Sequence, residues 1–220
     1  MVAFFNLWQL LLKGGPMIWP LLLLSVLALS VGLEKIFYLI SYEKSFRSNK
    51  DKLFENLKKE NIKQVVTMCE DLSGSFSHIL KAGLLNFGHS KEAISAAMQE
   101  IYVYEVCRLK ERMSILSFVI NVSVLIGLLG TVIGLMVVFH SVQVRSNVLN
   151  PLSLGDVAVG IWQALFVTVL GLMVCILSFA VYSYCAARIN NIIADLDIAK
   201  HQALHMLIQL AQSKEDPREE

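Results

Sequence analysis

The stretch 126-IGLLGTVIGLMVVFH-140 lies near the middle of 32 consecutive residues without a formal charge, residues 113–144. A helix needs about 20 apolar residues to cross the hydrocarbon of a membrane, so this segment is long enough to span it. Glycine weakens a helix, however, and threonine carries a hydroxyl into an apolar surrounding. The segment therefore predicts a membrane helix in which Gly127, Gly130, Thr131 and Gly134 have a specific role.

The composition of the whole chain agrees with a membrane protein. It has 220 residues, of which 55% are hydrophobic and 17% charged, and it contains two further charge-free windows at residues 14–33 and 157–187. Unpaired backbone groups are costly in lipid, and the weak alternation of polar and apolar residues argues against a β-barrel. We predict an all-α, polytopic membrane protein with three transmembrane helices.

The placement of lysine and arginine predicts the orientation of these helices. Residues 41–112 contain twelve of them, whereas the N-terminal arm has only Lys13 and the segment between the second and third spans has only Arg145. By the positive-inside rule the N-terminus lies outside and the C-terminus inside. We expect the first span to be a retained anchor. The expected segments are an outer interfacial segment (1–13), the first transmembrane helix (14–40), a cytoplasmic helical region (41–112), the second transmembrane helix (113–144), a short outer loop (145–156), the third transmembrane helix (157–187), and a cytoplasmic C-terminal helix and tail (188–220).

The cytoplasmic region has helical spacing of its apolar residues, with breakers at Ser73-Gly74-Ser75 and at Gly88. A last cytoplasmic helix begins near Ser90 and meets no breaker before the second span. The third span likewise continues without interruption to about Gln212. Helices two and three are therefore expected to extend into the cytoplasm.

Small residues recur along one face of each of the last two spans. Residues spaced by four and seven positions share a face of a helix, and small residues on that face allow two helices to approach closely in lipid. One interpretation is a packing contact alone. The other is that the hydroxyls of Thr131 and Thr168 also face a shared polar path. The residues concerned are Gly127, Gly130, Thr131 and Gly134 in the second span and Gly160, Ala164, Thr168 and Gly171 in the third.

The interiors of the three spans contain no acidic residue. Proton relays through membranes normally use buried carboxylates or histidines. Glu34 and Asp156 stand at span ends, where Asp156 is expected to cap the third helix or to attract cations, and His140 near the outer end is expected to be an interfacial polar residue. If protons cross, a second protein must therefore supply the titrating carboxylate.

Other functional classes have little support. The four cysteines show no spacing typical of disulfides or zinc, and no nucleotide-binding loop is present. An enzyme in the cytoplasmic region would have to use His78, His89, Glu70 and Asp71, which we interpret as solvated surface residues. We therefore expect no enzymatic activity, no cofactor, no metal and no nucleic-acid partner.

Three stretches together resemble the MotA/TolQ/ExbB proton-channel family, most closely its ExbB and TolQ branch. They are 14-GGPMIWPLLLLSVLALSVGLEK-35, 127-GLLGTVIGL-135 and 159-VGIWQALFVTVLGL-172. The first has the acidic and basic pair Glu34-Lys35 that follows the opening span in the family. Two positions depart from the pattern: Val124 stands where members often have proline, and Gln163 where the ExbB and TolQ branch often has glutamate.

The resemblance implies a homopentamer in the bacterial inner membrane with a periplasmic N-terminus, surrounding a single-span partner of the ExbD or TolR type. The partner's aspartate would carry the proton, and Thr131 and Thr168 would line its path. Proton motive force would then drive mechanical work on the cell envelope, through a TonB-like or TolA-like effector. The alternative, favoured by Val124 and Gln163, is an oligomeric membrane scaffold that conducts no ions.

Overall fold

A computed structural model describes residues 17–58, 62–72, 74–145 and 154–215 of the chain. Every regular element in these ranges is a helix, which confirms the all-α prediction. The predicted outer segment 1–13, most of the loop 145–156 and the last residues of the tail lie outside the described ranges. The helices are α1 (Ile18–Lys58), α2 (Ile62–Asp71), α3 (Ser75–Leu85), α4 (Lys91–Lys110), α5 (Met113–Arg145) and α6 (Leu154–Glu215).

Three helical stretches are long and apolar enough to cross a membrane, as the sequence predicts. They are Ile18–Leu57, Lys91–Val144 and Val157–Ala211. The first helix does not end near residue 40 but continues to Lys58, and α6 continues well beyond the third apolar window. Long helices of this kind carry apolar residues in one part and charged residues in the other.

The expected uninterrupted passage from the cytoplasmic helix into the second span differs in one detail. α4 ends at Lys110 and α5 begins at Met113, with Glu111 and Arg112 between them. Arg112 has a φ of 65°, in the left-handed region that residues with a Cβ adopt at a cost of about 1–2 kcal/mol. Its guanidinium pairs with the carboxylate of Glu34, and both side chains are about half exposed. The sequence has no glycine or proline here, so the break leaves no signal in the pattern.

The chain divides into two units, which we name the apolar unit and the charged unit. The apolar unit consists of residues up to Glu34 and Arg112–Tyr184, and the charged unit of Lys35–Glu111 and the chain from Cys185 onward.

In the apolar unit, α1 packs against both of the other long helices. Its residues Ile18 and Leu21 form a buried cluster with Val167 of α6. One and two turns further along, Leu24 and Ala28 pack with Val119 of α5. Dispersion contacts of this kind hold helices together where lipid removes the hydrophobic driving force.

The charged unit has its own hydrophobic core, to which α1, α2, α3, α4 and α6 all contribute. Ser90 caps α4 by accepting a hydrogen bond from the Ala93 amide, and the turn before it uses Gly88, whose φ of 95° favours glycine. Residues below 2% exposure in this core include Leu53, Leu57, Val65, Ile79, Leu80, Ile94, Met98, Leu196, Ala199, Ala203 and Leu207.

Among the described residues of the charged unit, three charged side chains are buried: Lys35, Glu105 and Lys200. Lys35 Nζ stands 5.3 Å from the centre of the Tyr38 ring. Ser75 Oγ donates to one oxygen of Glu105, while His78 Nδ1 lies 2.8 Å from the other. Lys200 Nζ donates to Gln99 and to Asp197, both at 2.8 Å, and stands 4.3 Å from the centre of the Tyr102 ring. A buried charge without partners is strongly destabilising, so these hydrogen bonds are what allow Glu105 and Lys200 inside the unit.

Burial makes the Cys69 thiol a weaker acid than usual, and this provides a test of the charged-unit core. Burial raises the pKa of this thiol from 9.0 to about 11, against a small lowering by Lys81. Because the thiolate is the reactive form, a rise of about two pKa units lowers its reactivity about 100-fold. We expect Cys69 to react with iodoacetamide at pH 8 about 100-fold more slowly in the folded, detergent-solubilised protein than after denaturation.

The exposed Cys107 is the internal control and should react at similar rates in both states. Stability should also depend on pH in a defined direction. The pKa of Cys69 is higher in the folded protein than in the unfolded one, so the unfolded chain loses this proton first and the free energy of unfolding should fall as pH rises from about 9 towards 11. Equal alkylation rates for Cys69 and Cys107 in the folded protein at pH 8 would contradict this description of the core.

Candidate functional site

The predicted small residues lie where α5 and α6 contact each other. A methyl group added at Gly134 would meet Ala164, and one added at Gly130 would meet Val167. Gly160 likewise faces Val138, and Gly127 faces Gly171 and Thr168. As the residue number rises on α5 it falls on α6, so the two helices run antiparallel. We name this contact the glycine seam; it comprises Gly127, Gly130, Gly134 and Val138 of α5 and Gly160, Ala164, Val167, Thr168 and Gly171 of α6.

The closest backbone approach in the seam is at Gly171. A Cβ at this position would lie 2.7 Å from the carbonyl oxygen of Ser123 and 2.9 Å from the Cα of Gly127. Backbone atoms cannot rotate away as a side chain can, so only glycine fits without moving the helices apart. At Gly127 the corresponding distances are 3.4 Å or more, which is ordinary van der Waals contact.

Thr168 links the two helices through its hydroxyl. Its Oγ1 donates to the backbone carbonyl of Gly127 at a distance of 2.8 Å. Hydrogen bonds between membrane helices are worth about 0.6 kcal/mol on average. Thr168 is partly exposed, so its two oxygen lone pairs remain available as acceptors.

Thr131 makes a different contact. Its Oγ1 donates to the carbonyl of Leu128 on the same helix, at 2.6 Å, and the side chain is partly exposed. Thr131 and Thr168 therefore use their protons on separate backbone carbonyls rather than on each other. Both hydroxyl oxygens can still accept a hydrogen bond. An approaching carboxylic acid in its protonated form could donate to either oxygen, whereas an ionised carboxylate would require a hydroxyl proton to turn away from its carbonyl.

A cavity of about 180 Å³ lies beside the part of the glycine seam that runs from Gly130 and Val167 to Val138 and Gly160. Its walls are apolar side chains and glycines, including Met17, Val137 and Gly160, together with Gln163. The amide of Gln163 is thus the main polar group of this cavity. Neither threonine lines it, so the structure places Gln163 and the two hydroxyls in different surroundings.

The remaining predicted residues are dispersed. Glu34 forms the ion pair with Arg112, and His140 is exposed. The side chain of Asp156 is outside the described part of the structure. Val124 is 38% exposed and takes no part in the glycine seam.

The residues suggested for a cytoplasmic enzyme do not form a common site. His78 contacts Glu105, and Glu70 contacts Lys81 at 2.9 Å. His89 and Asp71 are exposed. In the described ranges, no three histidine, cysteine, aspartate or glutamate side chains converge as metal ligands would.

Sequence reasoning missed three residues that the structure brings to attention. Ser123 provides the carbonyl against Gly171, and Val167 is buried in the glycine seam, but a backbone carbonyl and an apolar side chain give no distinctive signal. Asn121 is an exposed amide within the charge-free stretch, and its Nδ2 donates to the Ser117 carbonyl at 2.9 Å. Its polarity was visible in the sequence and could have been noticed there.

The glycine seam predicts a difference between two alanine substitutions on opposite helices. Gly171→Ala places a methyl group against backbone atoms at 2.7 and 2.9 Å, so the helices must separate. We expect a loss of about 1–3 kcal/mol, typical of overpacking, measured by thermal unfolding of the purified protein in detergent.

Gly127→Ala is the matched control, because its methyl group would meet neighbours at 3.4 Å or more and alanine favours a helix. We expect its unfolding temperature to stay within a few degrees of the native value. A larger loss for Gly127→Ala than for Gly171→Ala would show that the helices approach each other differently.

Comparisons with known proteins agree with this architecture. The family model described as MotA/TolQ/ExbB proton channel family matches residues 72–198. That range includes α3, α4, α5 and most of α6, and with them the whole glycine seam.

Two relatives have similar sequences along most of the chain. A protein described as a biopolymer transport protein ExbB homolog, from Methanothermobacter thermautotrophicus, is 25% identical over 193 residues, covering 86% of this chain and 66% of its own length. A biopolymer transport protein described as ExbB-like 1, from Synechocystis, is 31% identical over 175 residues, covering 78% of this chain and 67% of its own length. The chain thus spans about two thirds of the length of these relatives. With its family match over more than half of its residues, the chain belongs to the MotA/TolQ/ExbB proton channel family.

Proposed function

We propose that the chain is an inner-membrane subunit of a proton channel that uses proton motive force for mechanical work on the cell envelope. Family membership supports the general role of a proton channel. The observation that carries the finer proposal is a pair of threonine hydroxyls, Thr168 in the glycine seam and Thr131 next to its Gly130, while the described residues of the seam include no carboxylate. The two hydroxyls can accept hydrogen bonds from a proton carrier, but the described residues of the seam include no side chain that could itself be that carrier.

The missing carrier is the aspartate of a single-span partner of the ExbD or TolR type. In its protonated form this aspartate would donate to Thr131 or Thr168, whose oxygens keep free lone pairs. After losing its proton it would turn away, because both hydroxyl protons are engaged with carbonyls. The two protonation states of the aspartate thus differ in their preferred position, and such a difference is what converts proton transfer into movement.

The energy available is of the right order for this movement. One proton that crosses a potential of ~100 mV releases about 2.3 kcal/mol. Hydrogen bonds in membranes contribute about 0.6 kcal/mol each on average, so the energy released by one proton exceeds the cost of breaking and remaking a few of them. A few protons per cycle would therefore suffice to turn or shift a partner helix.

The proposed assembly is a homopentamer around the partner, with periplasmic N-termini and the charged unit in the cytoplasm. The exposed apolar surface of α5 and α6 supports further helix contacts: Phe139 on α5 and Ile176 on α6 are each more than half exposed in the single chain. The partner would pass its motion to a TonB-like or TolA-like effector, and lipid would cover the outer surface.

A non-conducting scaffold is the second candidate, and one observation favours it. The Thr168 hydroxyl bonds to Gly127 across the seam, so it has a packing role that requires no proton. On that account the threonines would matter for assembly alone.

Valine substitutions separate the two functions. Valine has the shape of threonine but no hydroxyl, so Thr131→Val and Thr168→Val should each lower proton uptake about threefold, the effect of one lost membrane hydrogen bond of about 0.6 kcal/mol. Uptake would be measured with a pH-sensitive dye in vesicles that contain the protein and its co-purified single-span partner, under an imposed potential.

Two controls accompany this measurement. Thr168→Ser retains the donor and should keep most of the flux, whereas Val169→Ala changes an exposed apolar neighbour and should have no effect. Co-purification of the partner shows that each variant still assembles. No flux through the native complex, together with loss of assembly in the valine variants, would favour the scaffold. Native flux in both valine variants with assembly intact would remove the threonines from the path.

A further inference from the structure

Asn121 is an amide on an exposed face of α5. Its Nδ2 donates to the Ser117 carbonyl at 2.9 Å, and its Oδ1 accepts no hydrogen bond from the described part of the chain. It stands nine residues after Arg112, or about 13 Å along a helix. Asn121 therefore falls in the cytoplasmic half of the membrane. Polar side chains at such depth face protein or water rather than lipid.

The position of Asn121 on the helix relates it to Thr131. Residues seven apart share nearly one direction, so Ser117, Val124 and Thr131 form one file along α5. Ser114 and Asn121 form the adjacent file. In the single chain Ser114 and Asn121 are exposed and Ser117 is partly exposed. Below Thr131, towards the cytoplasm, this face thus carries polar groups at three positions.

The next file on the same helix has the opposite character. Phe118, Leu125 and Val132 are also seven apart, and they are 58%, 62% and 53% exposed. Three large apolar side chains in a row are suited to lipid. Between residues 114 and 121, polar side chains on the exposed surface of α5 thus lie beside an apolar file. Towards Thr131 the two polar files continue with Val124 and Leu128.

We propose that Asn121, with Ser114 and Ser117, lines a water-filled vestibule through which protons leave the Thr131 region for the cytoplasm. This inference rests on the proposed proton-channel function. Asn121 acts as a positioning residue: its free Oδ1 and second N–H hold water and do not themselves exchange the proton. Val124 and Leu128 occupy the interval between Asn121 and Thr131, about 15 Å of helix. This apolar interval separates the vestibule water from Thr131, which limits leakage when no carrier side chain bridges it.

Cysteine accessibility tests the vestibule without requiring proton flow. Asn121→Cys would be introduced into a chain whose native Cys69, Cys107, Cys175 and Cys185 are replaced by serine or alanine. The complex with its partner would be exposed, in inside-out vesicles, to a charged methanethiosulfonate that cannot cross membranes. Thiols react as thiolates, which form in water and not in lipid. We expect Asn121→Cys to react at least tenfold faster than the matched control Leu125→Cys.

Ser117→Cys provides a second reporter if Asn121→Cys fails to assemble, and it should also react faster than Leu125→Cys. Equal rates at the polar and apolar positions, or modification only from the periplasmic side, would overturn the vestibule.

Proton flux then separates the failure of the vestibule from that of the channel. Asn121→Leu should lower uptake several-fold, Asn121→Ser should restore it, and Leu125→Ala should leave it unchanged. A cysteine at position 121 that stays unreactive while flux remains sensitive to Thr131→Val overturns the vestibule and leaves the channel in place. Rapid modification in a native complex that carries no protons overturns the channel and, with it, the role of Asn121 in proton exit.

Discussion

The close approach of the α5 and α6 backbones is the constraint on which the apolar unit depends. At Gly171 the helices are so near that a single added carbon would touch the Ser123 carbonyl and the Gly127 Cα. This distance brings the Gly127 carbonyl within reach of the Thr168 hydroxyl, and the hydrogen bond in turn fixes the direction of that side chain. Were the helices separated by the width of one methyl group, the carbonyl would lose its donor. The glycines thus contribute to the site by letting the helices come close enough for the Thr168 hydroxyl to reach the Gly127 carbonyl.

The core of the charged unit differs from the apolar unit because it contains charged side chains. Glu105 and Lys200 are each less than a tenth exposed, and each has two hydrogen-bonding partners from neighbouring turns or helices. Such contacts add little net stability compared with an apolar core, since desolvation offsets most of the attraction. They do require particular partners, however, and so favour one register of α3, α4 and α6 over its alternatives.

Much of this architecture could be predicted from the sequence, because lipid leaves few choices for an apolar segment. The charge-free windows gave the three long helices, and the spacing of Gly127, Gly134, Gly160 and Gly171 indicated the face used for contact. The direction of each hydroxyl could not be predicted, since Thr131 and Thr168 have the same chemistry but bond to carbonyls on different helices. Nor could the buried Glu105 be recognised, because its partners come from a helix about 30 residues away in the chain. The break before α5 was invisible for a related reason: it consists of a backbone torsion at an arginine.

That torsion restricts which residues can replace Arg112. A left-handed backbone suits glycine and, to a lesser degree, asparagine, while valine and isoleucine are excluded by their branched side chains. Arg112 therefore meets two requirements at once. It adopts the left-handed backbone, and it places a positive charge opposite Glu34. Lysine would keep the charge but lose the planar, forked donor, and glycine would relax the backbone but leave the carboxylate without its cation. Descendants of this chain that change residue 112 should accordingly tend to change residue 34 as well.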